Sequence, residues 1–256
     1  MLKTVIYTAI ANSYDFLRPV PFELRKRYDF VCFSDNKKSG QIVNGWRIEN
    51  LDGTTEDLTR ACRNIKIHPH IHFKEYNSSL WIDANISFSN KMIDLIDSFN
   101  GSKAIIMGVK HPTRSCIYLE AKVCQESVKD KRDLIDQQTQ KMRQAGYPEQ
   151  FGLTETNILF RKHCESSVIA MMEEWWWWVS NMSKRDQLSF DYLRWKHGLE
   201  IKYINIDIHD SSKVFRRGLH RTGPLFRKSF ALIEAYQMLI PWMPLILSKI
   251  YKLRRR

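Results

Sequence analysis

Apolar positions along this chain fall into short, strand-length runs separated by longer stretches with helical spacing. Residues 3–10 alternate and predict a first strand, which ends in the turn-like Ala11-Asn12-Ser13-Tyr14-Asp15. Asp29-Phe30-Val31-Cys32-Phe33 predicts a second strand with Ser34-Asp35-Asn36 as its polar exit, and Gly45-Trp46-Arg47-Ile48 a short third. Thr54-Thr55-Glu56-Asp57 places a hydroxyl cap before acids, so a helix should run from there to about Ile67 and stop before Pro69. A strand through Ser79-Leu80-Trp81-Ile82 then delivers Asp83, Ala84, Asn85 and Ile86. An amphipathic segment at 90–99 and a strand at 104–109 follow. From Ile117 to Ala145 the pattern is helical and heavily charged, and it ends at Gly146-Tyr147-Pro148. Thr156-Asn157-Ile158-Leu159-Phe160 predicts a strand, residues 165–178 and 185–197 predict helices, and Ile201-Lys202-Tyr203-Ile204 a last core strand. Strands alternating with helices predict an α/β fold with a mixed, mostly parallel sheet.

Composition sharpens this picture. At 256 residues and 43% hydrophobic, the chain can bury a sizeable core, which excludes global disorder and favours one domain with an appendage. The expected division is a body over 1–210 and a tail over 211–256. Cys32, Cys62, Cys116, Cys124 and Cys164 are an odd set without a Cys-x-x-Cys pair, which argues for reduced thiols and against a zinc ribbon. Lys3 leads straight into the strand-like Thr4-Val5-Ile6-Tyr7-Thr8 with no charged-then-apolar leader, so a cytosolic start is expected.

The net charge of +12 is unevenly spread. From Lys213 onward, eleven Lys or Arg stand against Glu234 alone, which accounts for +10 and leaves +2 for the first 212 residues. The tail from Phe230 to Arg256 adds apolar residues such as Leu232, Ile233, Met238, Leu239 and Trp242, interrupted by Pro241 and Pro244. That is too short and broken for a membrane span of about 20 apolar residues. It suits an interfacial anchor at residues 229–256, apolar side down with Lys and Arg toward anionic lipid. The alternative is a C-terminal helix packed on the body. The body lacks the spread basic surface that binding nucleic acid would need.

Candidate chemistry centres on Asp83. Open α/β sheets place ligand-handling residues at the carboxyl ends of their strands. A carboxylate with an oxygen-bearing neighbour two residues on, here Asn85, suits a hard divalent cation that shares phosphate oxygens. The bland reading of Asp83 is a turn residue or helix cap. Arg60, Arg63 and Lys66 recur every three residues on the preceding helix and could grip a diphosphate, or could form a solvated basic face. Asp35 could orient a nucleobase or ribose, or simply close a turn. His68, His70 and His72 could mark a zinc hydrolase site, with Pro69 arguing for a loop or short helix. Of Trp175-Trp176-Trp177-Trp178, two should fill the core beside Val168, Met171 and Met172; the others could wall a sugar subsite or meet a membrane. Asp186 and Gln187 begin a helix, where Asp186 complements the dipole or acts on an acceptor hydroxyl, with Glu155 as its rival. His209 is the candidate for a late metal ligand.

Taken in order, these blocks resemble a known glycosyltransferase-like family, one that includes a plant seed-mucilage protein, a plant protein described as an alkaline ceramidase, and bacterial polysaccharide-cluster proteins. The matching pieces are Tyr7-Thr8-Ala9-Ile10 with Tyr14-Asp15, Cys32-Phe33-Ser34-Asp35, Gly45-Trp46, Arg63 with Lys66, and Pro69-His70. They continue through Ser79-Leu80-Trp81-Ile82-Asp83-Ala84-Asn85-Ile86, His111-Pro112 with Arg114, Cys116-Ile117-Tyr118, Glu120-Ala121, Gly152-Leu153-Thr154-Glu155 and Arg185-Asp186-Gln187-Leu188-Ser189-Phe190. The likeness spans roughly residues 3–205. It implies a GT-A-type, Rossmann-like fold that binds a nucleotide sugar, expected to be UDP-linked, with Mn²⁺ or Mg²⁺ at an Asp-x-Asp position where Asn85 replaces the second Asp. Carried over by position, Asp83 would hold the metal with Asn85 in the second place, and His209, beyond the likeness, could complete the shell. Tyr7, Thr8, Ala9 and Asp35 would border the nucleoside, and Arg60, Arg63 and Lys66 the diphosphate. His111, Arg114, Glu155 and Asp186 would line the sugar and acceptor side, where Gln187 and Trp178 are further candidates. The expected activity is sugar transfer to a polysaccharide or lipid-linked glycan, such as lipopolysaccharide or capsule, at the inner membrane face. The ceramidase relative keeps a lipid amide or ester hydrolase as an alternative, and a non-catalytic membrane-bound partner is another.

Overall fold

Strand β1 (Thr4–Ile10) is buried along nearly its whole length, as an apolar run with only Thr for polarity must be inside a sheet covered on both sides. The computed structural model describes residues 3–51, 57–206, 208 and 214–218. After β1 come α1 (Phe22–Arg25), β2 (Asp29–Ser34), β3 (Ile42–Val43), β4 (Trp46–Asn50), α2 (Leu58–Ile67) and α3 (Pro69–His72). The middle of the chain forms β5 (Ser78–Ile82), β6 (Ile86–Phe88), α4 (Met92–Asn100), β7 (Ile106–Lys110), α5 (Ile117–Glu126) and α6 (Arg132–Gln144). The last part forms β8 (Thr154–Arg161), α7 (Ser166–Asn181), α8 (Gln187–Lys196), β9 (Lys202–Ile204) and β10 (Phe215–Arg217).

Eight strands make one sheet in the order β3-β4-β2-β1-β5-β8-β7-β9. The pairs β1–β2, β1–β5, β2–β4 and β7–β9 are parallel, while β3–β4, β5–β8 and β7–β8 are antiparallel. This is the mixed, mostly parallel α/β architecture that the alternation of elements predicts. Because successive strand residues point to opposite faces, Val5, Tyr7, Val31, Trp81 and Leu159 join one core with α2, α7 and α8. Ile6, Cys32, Leu80, Ile82 and Phe160 join a second core under α4.

Two local features depart from the pattern. The long helical stretch breaks into α5 and α6, because Ser127-Val128-Lys129-Asp130-Lys131 offers no apolar face and Val128 takes φ +50° in solvent. Phe215–Arg217 returns beyond the boundary expected at residue 210 and pairs antiparallel with β6. Helix α2 is capped by Asp57, whose side chain accepts from the Thr59 and Arg60 amides.

One edge of the sheet matters for function. The carboxyl ends of β1, β2, β5 and β7 open there, and antiparallel β8 begins there with Thr154 and Glu155. Among the described residues no helix is long and apolar enough to cross a membrane. The expected anchor at 229–256 and the candidate ligand His209 lie outside the described residues.

Candidate active site

Asp83 follows β5 directly, and its backbone N–H donates to the Asn157 carbonyl of β8 (2.8 Å). The Trp81 indole N–H donates to Asp83 Oδ1 (2.7 Å), which fixes the carboxylate rotamer. Behind it, Lys66 reaches across from α2, its Nζ 4.0 Å from Asp83 Oδ1 and 2.5 Å from Asp186 Oδ2. Arg63, one turn earlier on α2, pairs with Asp186 Oδ1 through Nε (2.9 Å). The Thr156 hydroxyl donates a further bond to Asp186 Oδ2 (2.8 Å). Residues far apart in sequence thus form one buried charged knot on the edge where the strands end.

This knot corrects the role expected of Asp186. Its side chain makes no cap bond to α8, and it is 2% exposed, so no acceptor hydroxyl reaches it. Burial alone would favour the protonated acid, but Arg63, then Lys66, outweigh it and hold the carboxyl well below its usual range. Burial pulls the Lys66 ammonium down from its ordinary value, with Asp186 and Asp83 opposing. We take the pair as ionised, because Asp186 gathers three donors and Lys66 lies close to two carboxylates. Asp186 is an anchor for basic side chains and is already saturated. Glu155, buried at the start of β8, is the other carboxylate that β8 brings to this edge.

The basic stripe on α2 divides. Arg63 and Lys66 face the knot, but Arg60 donates to the Val179 and Met182 carbonyls (3.0 and 3.1 Å) and pairs with Asp57, so it holds the end of α7 and does not face the knot. Tyr7 and Thr8 are core residues, each fully buried, and the Tyr7 hydroxyl donates to the Lys66 carbonyl (2.7 Å). Neither side chain can border a nucleoside; Ala9 is half-buried near the strand exit. Asp35 accepts from the Asn12 amide (2.8 Å) and so closes the β1 exit turn, where Asn12 and Ser13 both have positive φ. Trp178 is also displaced from its expected place. It packs in the core against Tyr192 and cannot stack on a sugar. Trp175 fills the core beside it, Trp176 packs on His68, and Trp177 is exposed.

On the far side of the edge, His111 and Arg114 form a compact turn after β7. The Arg114 amide donates to His111 Nδ1 (3.0 Å), and Arg114 Nε donates to Glu120 (2.5 Å). Gln187 donates to the Thr154 carbonyl (3.0 Å). His68 and His70 sit under α7 near Glu173, at 3.9 and 2.8 Å, and burial drives His68 down to about 4. Among the described residues no group of three or more His, Cys, Asp or Glu is placed to hold a metal ion, so the zinc-hydrolase arrangement is not formed there.

Arg217 joins the cations that the sequence singles out. The phenol of Tyr14, more than half exposed, is raised first by burial and then by Asp15, while Arg185, Arg217 and Arg63 pull it down. Arg63 pairs with Asp186, Arg185 directly precedes Asp186, and β10 pairs Arg217 with Ile86, three residues after Asp83, so these three guanidinium-bearing residues come from α2, the loop before α8 and β10 toward the same edge. Only the long-range pairing of β10 with β6 brings Arg217 here, and no local pattern announces it.

A model of the TOD1/MUCI70 glycosyltransferase-like domain matches residues 3–216. The chain belongs to that family. No curated protein matches it. Similar solved structures include mouse xyloside xylosyltransferase 1 in its apo form, at 11% identity and a TM-score of 0.44, over 79% of this chain and 84% of that one. Another is the glycosyltransferase GlyE of Streptococcus pneumoniae TIGR4, at 11% identity and a TM-score of 0.44, over 80% of this chain and 45% of that one. A glycosyltransferase involved in glycosylation of the major capsid of PBCV-1 aligns at 12% identity and a TM-score of 0.40, over 84% of this chain and 94% of that one. The family match runs through Arg216, so β10 belongs largely within the family's domain.

Proposed function

We propose that this family member transfers a sugar from a nucleotide donor, UDP-linked by preference, to a polysaccharide or lipid-linked glycan at a membrane's inner face. The supporting observation is the pairing of Lys66 and Arg63 with Asp83 and Asp186 at the carboxyl edge of the sheet, with Arg185 next to Asp186 in the chain and Arg217 opposite Ile86, within a glycosyltransferase-like domain. In the transfer, the bond from the anomeric carbon to the diphosphate oxygen breaks and its electron pair leaves with the diphosphate. The acceptor oxygen bonds to that carbon and gives up its proton. Negative charge develops on the leaving group, so fixed guanidinium groups there stabilise the transition state more than the ground state. If configuration inverts, Glu155 is assigned the acceptor proton over Asp186; both carboxylates are buried, but Asp186 is already engaged by Lys66, Thr156 and Arg63. Residues 229–256 supply the contact with anionic lipid.

The expected Mn²⁺ or Mg²⁺ fits the described residues poorly. Asp83 offers one carboxylate, already accepting from Trp81 and facing the Lys66 ammonium. The Asn85 amide, which would be the second ligand, donates to the Gly218 carbonyl (3.1 Å) and is 2% exposed.

The test is thermal stability of the purified protein against a panel of nucleotides and nucleotide sugars. A ligand that binds only the folded state raises the melting temperature by mass action. A shift with one nucleotide supports the transferase and names its base; no shift with any of them overturns it.

A further inference from the structure

Lys66 stands where a cation bound to Asp83 would be repelled. A divalent ion coordinated by a carboxylate lies roughly 2 Å from its oxygen, and the Lys66 ammonium is only 4.0 Å from Asp83 Oδ1. The ammonium cannot swing away: it is 1% exposed and tied to Asp186 at 2.5 Å. Asp83 therefore already has an internal counter-ion. Asn85, in the second ligand position, instead fastens the returning chain through two bonds with Gly218. The positive charge that a leaving diphosphate needs lies just outside the knot. Arg63 is partly open, Arg217 is exposed, and Arg185, whose guanidinium also meets the Cys124 thiol, keeps a buried Nε with no hydrogen-bond partner among the described residues. Guanidinium groups are forked donors suited to phosphate oxygens.

We propose that Arg63, Arg185 and Arg217 form a guanidinium clamp for the donor diphosphate, and that Lys66 occupies the Asp83 carboxylate, so that this chain binds its nucleotide without a divalent metal ion. This rests on the proposed transferase function and assigns the means by which that site neutralises its leaving group. Asp186 enters as a positioning residue, since it aims both Arg63 and Lys66 without touching the donor.

The experiment is calorimetric titration of the full chain with UDP, GDP, ADP and CDP, each in EDTA and in Mn²⁺. One diphosphate should bind with an affinity that EDTA changes by less than about threefold, about 0.65 kcal/mol. Arg217→Ala and Arg185→Gln should each weaken that binding about tenfold, and the loss should shrink at high salt. Binding that requires Mn²⁺ would overturn the clamp while leaving the transferase standing. Failure of all four to bind in either condition would sink both. Arg217 is on the surface, so its variant stays folded, and unchanged affinity in that variant would also refute the clamp.

Discussion

Two fully buried cations flank Tyr7, and they are treated differently. Lys66 lies close to two carboxylates, Asp186 and Asp83. Arg161, on β8, has none in contact: its guanidinium donates to the Tyr7 hydroxyl, to the Lys66 carbonyl (2.7 Å) and toward Met172 Sδ (3.5 Å). Burial lowers the Arg161 value, with only Tyr7 opposing. A buried charge is tolerated when most of its protons find ions or neutral acceptors, and Arg161 leaves only its Nε without one among the described residues. The neutral solution ties strands and helices together inside the core. The ionic solution sits on the sheet's open edge, where it neutralises Asp83 and Asp186 and leaves the arginines outside the knot to meet a ligand. The contrast separates a structural cation from one that belongs to a site.

The strongest way to break the comparison is at Asp83. Asp83→Ala should retain the fold, because this side chain is partly exposed, yet lose about a hundredfold or more in turnover; a variant with full transferase activity would remove Asp83 from the chemistry. Next comes Asp186→Asn, which leaves two buried cations short of a counter-charge and should cost about 3–5 kcal/mol in urea unfolding. If the loss is under about 1 kcal/mol, the knot is not ionic. Burial holds both His68 and His163 down to about 4. The unfolded chain then binds more protons below about pH 6.5, so stability is complete above that pH and declines toward pH 4, by roughly 2–3 kcal/mol per histidine. A melting temperature flat from pH 7 to 4.5 contradicts this. The smallest effect is expected at Arg161→Met, about 1–2 kcal/mol, because it removes both a buried charge and its neutral partners' bonds. A loss equal to that of Asp186→Asn would erase the distinction between the two cations.

Legibility in the sequence followed physical range. Strands β1, β2, β5 and β8 declare themselves because buried strands are apolar runs, and α2 because its proline stop is local, although its cap is the Asp57 carboxylate and not a Thr54 or Thr55 hydroxyl. The two-residue β3 and the pair β6–β10 do not, since their pairing depends on partners distant in sequence. Asp83 was readable from its place at a strand's end. The α2 stripe was misread by helical geometry: at about 100° per residue, positions six apart lie about 120° around the axis, so Arg60 and Lys66 cannot face the same ligand. The same rotation explains why Trp178 joins Trp175 inside while Trp177 remains in solvent. Asp186 looked like a base because an acid at a helix start carries no mark of its burial. Arg185 sat within a recognised block, but its part in the arginine cluster appears only when Arg217 arrives from the other end of the fold.

Gly218 gives the molecule a mechanical joint. Its amide and carbonyl are both held by Asn85, and a Cβ there would lie 2.9 Å from the Asn85 carbonyl oxygen and run into Arg18, so only glycine fits. The returning strand β10 is thereby locked to a corner two residues from Asp83, so the rim of the site and the end of β10 are held as one piece.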